Sequence, residues 1–133
     1  MFSYAIHPEA HLVVARFAAG IDAAEILAFF TQLEADPAYE RTMNGLVDAR
    51  GTEVEMTLED IRALARHVLE RSFKHGSWAI FVDQPKATAL SMLYTKAVDS
   101  QYSFQVFSTA RGISEYLGIN AADYLGPAAS QHA

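Results

Sequence analysis

Two aspartates close short apolar runs: Asp48 in Gly45-Leu-Val-Asp-Ala-Arg50, and Asp83 after Trp78-Ala-Ile-Phe-Val82. Carboxylates at the carboxyl ends of adjacent parallel strands stand where open α/β sheets bind ligands. A converging pair could share a proton or hold a hard cation. The commoner use of an aspartate after a strand is to cap its own loop through local hydrogen bonds. Arg50 is close enough to pair with one of the two, and a neighbouring guanidinium keeps a carboxylate ionised and makes it a poor base. These spacings favour structure or anion binding over catalysis, with Asp48, Arg50, Thr57 and Asp83 as the candidate ligand or partner site.

Little else in the chain is reactive. There are no cysteines, which excludes thiol catalysis, thiolate metal sites and disulfides. His7 and His11 flank Pro8-Glu-Ala at a spacing that reaches one metal ion, but no third ligand completes a motif. His67 has no second ligand at helical spacing, and His132 stands alone near the end. No nucleophile-base motif or phosphate loop is found, so neither metal nor cofactor is expected.

Ten Lys+Arg against 16 Asp+Glu give a formal charge of −6, the wrong sign for broad phosphate-backbone binding. Nucleic acid is therefore not an expected partner. No apolar run approaches the roughly 20 residues that span a bilayer, so no membrane insertion is expected. Met1–His7 lacks the basic region and apolar core of a signal peptide, which points to a soluble cytoplasmic protein of bacterial type.

These residues need elements to position them. Ser3–His7 and Leu12–Ala18 read as two antiparallel strands joined by a proline turn. Asp22 and Glu25 start a helix whose core face is Ile26, Phe29, Phe30 and Leu33, and which stops before Pro37. Gly45–Ala49 and Trp78–Val82 are too apolar for a solvated face and read as central strands. Thr57 and Asp60 open a second helix with the stripe Ile61, Leu64, Ala65, Val68 and Leu69, and Gly76 is read as its terminator. Its bases Arg62, Arg66, Arg71, Lys74 and His75 lie mostly late, as the helix dipole prefers, and suit a solvated face. Pro85 suits the start of a third helix running to Val98, Ser103–Phe107 alternates like an edge strand, and Ser108 or Thr109 caps a last helix ending at Gly118.

The expected fold is α/β: a mixed, mostly parallel five-stranded sheet with an N-terminal hairpin and about four helices. Residues 1–118 form a single domain and 119–133 a loosely attached C-terminal tail. The third helix is apolar on more than one face. Met92, Leu93 and Tyr94 are its candidate apolar contact, suited to a dimer surface or to a lid over an apolar ligand.

Through Leu46-Val-Asp48-Ala-Arg50, Thr57-Leu-Glu-Asp-Ile-Arg62 and Val106-Phe107 to Leu117-Gly118, the chain resembles the SpoIIAA-like proteins. These share the STAS fold of anti-sigma-factor antagonists, with structural kinship to the CRAL-TRIO lipid carriers. In the antagonists a strand-terminal aspartate is followed by an Asp-Ser-x-Gly-like helix start whose serine a partner kinase phosphorylates. Thr57 takes the place of that serine, whereas Met56 and Glu59 replace the flanking motif residues, so Thr57 is expected to cap the helix and not to act as a switch. The resemblance implies a noncatalytic STAS-like interaction or regulatory module, a homodimer that meets a regulatory protein or a small apolar or anionic ligand. The alternative is a small-molecule or lipid-binding domain of CRAL-TRIO-like type, which needs an internal pocket of about 300 Å³ or more lined by residues such as Phe30, Phe81, Met92 and Tyr94. A third reading is a hydrolase using Asp48 and Asp83.

Overall fold

In the computed structural model, which describes residues 2–18, 20–71 and 76–126, strands β1 (Phe2–His7) and β2 (Leu12–Phe17) form the antiparallel hairpin. A 3₁₀ turn at Pro8–Ala10 reverses the chain, and His11 closes it in the left-handed region at φ 51°. Helix α1 (Ala23–Ala35) starts where the Asp22 carboxylate accepts the Glu25 N–H, and its last residue is two before Pro37. Strand β3 (Asn44–Asp48), helix α2 (Leu58–Arg71), strand β4 (Ser77–Phe81), helix α3 (Pro85–Val98), strand β5 (Ser103–Phe107) and helix α4 (Ala110–Leu117) follow. Thr109 caps α4 by accepting the Gly112 N–H, and Gly118 ends it at φ 70°.

The five strands lie in the order β1-β2-β3-β4-β5, with β1 antiparallel to β2 and every later pair parallel. Because each parallel crossover steps to the next position in the same direction and crossovers are right-handed, α1, α2 and α3 must all cover one face. Strand alternation then divides the apolar residues between two cores. Val13, Val47, Trp78, Ile80 and Phe104 meet Phe29, Leu33, Leu64, Val68 and Tyr94 on the three-helix face. Leu12, Leu46, Ala79 and Phe81 meet Ile113, Leu117 and Ala121 on the other.

One expectation changes. The segment from residue 119, read as loose, is part of the second core as far as Leu125. Ala121 is fully buried in a 3₁₀ turn, and Ile119, Tyr124 and Leu125 pack beside it, because α4 alone is too short to cover that face. Residues 127–133, including His132, lie outside the described residues. Gly76 lies five residues past the last described turn of α2, so its reading as a terminator falls partly on the undescribed residues 72–75, among them Lys74 and His75. Its visible constraint is different: a Cβ there would collide with the Met43 carbonyl.

Candidate functional site

Alternation along β2 turns Leu12, Val14 and Arg16 toward the second face, and the parallel register sets Arg16 directly beside Asp48. Across the next pairs Asp48 stands beside Phe81, and Phe81 beside Phe107. A carboxylate in such a row loses water and needs partners. Asp48 is only 4% exposed, and both its oxygens are engaged. Oδ1 accepts the Arg50 backbone N–H at 3.2 Å and its Nε at 2.9 Å; Oδ2 accepts Nη2 of Arg50 at 2.9 Å and forms an ion pair with Nη2 of Arg16 at 3.1 Å.

Arg50 folds back over the sheet with its guanidinium carbon 4.7 Å from the centre of the Phe81 ring, and the same Nη2 donates to the Gly126 carbonyl at 2.8 Å. The hydrogen bonds that Arg50 donates to Asp48 raise the pKa of Arg50 against the opposing effect of burial, with the negative charges of Asp48 and Asp83 adding to the rise. One carboxylate thus serves two guanidinium groups. Beside them is a shallow depression of about 230 Å³ lined by Ser3, His7, Arg16, Asp48 and Tyr124.

Asp83 is placed differently. It is exposed, and its Oδ1 accepts the Gly51 N–H at 2.7 Å and Nε2 of Gln84 at 3.4 Å. Asp48 and Asp83 therefore hold consecutive peptide N–H groups, those of Arg50 and Gly51, and fix one turn from the ends of two strands. Gly51 allows the turn with φ 69°. A shared-proton or cation-binding use of the pair has no geometric support, since guanidinium groups already occupy both oxygens of Asp48.

Thr57 and Asp60 form a reciprocal cap on α2. The Asp60 N–H donates to the Thr57 hydroxyl at 3.1 Å and the Thr57 N–H to the Asp60 carboxylate at 2.9 Å. This satisfies helix-start donors that would otherwise be unpaired. A phosphate here would meet the carboxylates of Glu59 and Asp60 at close range. We expect Thr57→Ala to cost about 1 kcal/mol of stability in urea unfolding and Thr57→Ser to be nearly silent. Substantial native phosphorylation at Thr57 would contradict the capping role.

The candidate contact on α3 separates into two faces. Met92 and Leu93 are 58% and 45% exposed, while Tyr94, about 100° further round the helix, is buried. The Tyr94 ring packs edge-on against Phe104 at 5.4 Å, so Tyr94 belongs to the core and not to the outer contact. Burial, with a smaller effect from Tyr102, pushes its phenol pKa far up. An apolar cavity of about 80 Å³ lies between the sheet and α1–α3, lined by Phe30 and Tyr94 among others. Phe81 packs in the opposite core and Met92 borders an outer groove, so the four residues expected to line one chamber do not share it.

Among the described residues no group of three or more His, Asp or Glu could hold a metal ion. His7 stands against the Tyr124 ring and 3.9 Å from Glu9, while His11 meets Thr42 and Glu40. Arg62, Arg66 and His67 are exposed on α2, while the side chain of Arg71 is outside the description. Among the described residues no helix is long and apolar enough to cross a membrane.

Sequence reading overlooked Arg16, Thr52 and Gly126. Arg16 carries a signal, a charge interrupting the apolar run Leu12-Val-Val-Ala-Arg-Phe17. Thr52 is buried and donates to the Phe17 carbonyl at 2.8 Å, stitching the loop after β3 to the end of β2. Gly126 takes part through its backbone carbonyl, for which no side-chain pattern exists, and a Cβ there would crowd Nη2 of Arg16. In comparisons with protein families, curated proteins and solved structures, the chain has no significant match.

Proposed function

We propose that this chain is a noncatalytic interaction module of STAS-like type that meets a second copy of itself through the outer face of α3 and the open edge of β5. The observation that carries this reading is the pair Met92 and Leu93, adjacent, exposed and bordering a surface groove of about 680 Å³ that runs along β5. Edge strands in stable monomers are blunted by lysine, proline or a bulge, and Ser103-Phe-Gln-Val-Phe107 has no lysine or proline. The groove also carries Lys96 and Asp99, opposite charges that a two-fold axis can set against each other across copies. Kinship with the SpoIIAA-like group belongs to the same proposal and is supported by the strand order with only β1 antiparallel. The anchoring of Asp48 and Asp83 to one turn supports a structural use of both.

Sedimentation across a concentration series tests the reading. A dimer is expected that dissociates on dilution. Met92→Lys with Leu93→Lys should give a monomer even at high micromolar concentration, with a thermal midpoint close to that of the dissociated parent, because neither side chain is in the core. A parent that stays monomeric throughout would defeat the proposal.

A further inference from the structure

The cavity beneath α3 is lined by apolar side chains, among them Phe17, Phe29, Val47, Leu64 and Ile80, and its polar residues are few: Thr52, Ser91 and Tyr94. Thr52 already donates to the Phe17 carbonyl. Tyr94 does not share that condition. It is 6% exposed, and its hydroxyl is buried with no hydrogen-bond partner among the described residues. A buried hydroxyl without a partner costs roughly 1–3 kcal/mol, and proteins seldom keep one without a use.

The cavity is not sealed from the surface. Thr52, Val54 and Ala87 line both it and a shallow polar cleft between residues 52–55 and the start of α3. This cleft lies at the carboxyl ends of β3 and β4, the edge of an open parallel sheet where ligands enter. Its rim carries Glu53 and Glu55 against Lys86, a balance that does not favour an anion.

We propose that this cavity is a binding site for a small uncharged molecule with an apolar body and a single hydrogen-bond acceptor, typified by a short-chain ketone, to which the Tyr94 hydroxyl donates. Its size sets the class. At about 80 Å³ it is well below the roughly 150 Å³ cavity that holds benzene, and far below what a lipid needs. Its chemistry sets the rest, because a charge would have to leave water for a lining with no ionised side chain, whereas one acceptor oxygen finds a waiting donor. The phenol remains protonated, and so a donor, because burial raises its pKa. The site is on the inner side of α3 and does not depend on any contact made by Met92 and Leu93.

Titration of the ¹⁵N-labelled full chain followed by NMR, with butan-2-one and its alkene isostere 2-methylbut-1-ene as probes, tests the proposal. Butan-2-one is expected to shift the amides of Thr52, Ala87 and Leu90 saturably, with a dissociation constant on the order of millimolar. Tyr94→Phe keeps the ring and removes the donor, so it should bind butan-2-one about fivefold more weakly than the parent does, the worth of one hydrogen bond, while binding the alkene as before. Absence of saturable shifts at the solubility limit would overturn the site, and an unchanged butan-2-one affinity in Tyr94→Phe would overturn the role of Tyr94. An equal loss of affinity for the alkene in Tyr94→Phe would do the same.

Discussion

Gly45→Ala is expected to lower the unfolding free energy by about 3 kcal/mol, a large effect for one methyl group. A Cβ at this position would stand inside the indole ring of Trp78, which lies flat across β3 from the neighbouring strand. The ring cannot yield cheaply. Trp78 is 1% exposed and packs against Phe29 at 6.4 Å and Phe104 at 6.0 Å, in the core that α1, α2 and α3 share with the sheet. The choice of glycine here follows from close approach and not from backbone angle, as its φ is not among the positive ones. Urea unfolding measures the loss as a fall in midpoint at unchanged slope. Trp78→Leu, itself destabilising through the space it leaves, should relieve the clash, so that the double variant is more stable than the sum of the single effects by about 1 kcal/mol or more. Simple additivity would mean that the two residues do not compete for the same space.

A second large loss is expected at Asp48. Asp48→Ala should cost about 3 kcal/mol, because it leaves Arg50, whose side chain is only 15% exposed, without its charge partner and frees the turn at Arg50. Asp48→Asn retains an acceptor and should cost less, about 1–2 kcal/mol. Arg16→Met should cost below about 1 kcal/mol, since the Arg16 side chain is 37% exposed and its pairing is screened by water. The ranking Ala, Asn, then Arg16→Met is the discriminating result in urea unfolding. Hydrogen exchange gives an independent reading. Arg50 ties Gly126 to the sheet, so the amides of Tyr124 and Leu125, which bond within the 3₁₀ turn after α4, should exchange faster in Asp48→Ala than in Arg16→Met. Equal protection in both would separate the anchoring of the C-terminal segment from the carboxylate.

Much of the fold was legible because its signals are local. The four helices, the central rank of β3 and β4, the caps at Asp22, Thr57 and Thr109 and the stop before Pro37 follow from periodicity, capping chemistry and backbone restriction within a few residues. The crossover rule then carried the parallel arrangement. The pairing of Asp48 with Arg50 was legible for the same reason, since two residues of separation keep the partners together in almost any turn. What joins distant segments was not. Arg16 reaches Asp48 only because β2 and β3 pair in one register, which a slip of one residue would abolish. The separation of Asp83 from a shared site, the inward turn of Tyr94 against the outward turn of Met92 and Leu93, and the recruitment of residues 119–125 to the second core were likewise decided by packing. Helices entering one face left the other to be covered by whatever chain remained, and that demand is a property of the assembled sheet. Composition and periodicity determined which elements form and which faces are apolar; the tertiary structure alone decided which apolar faces meet, because that choice depends on register and handedness summed over the whole sheet.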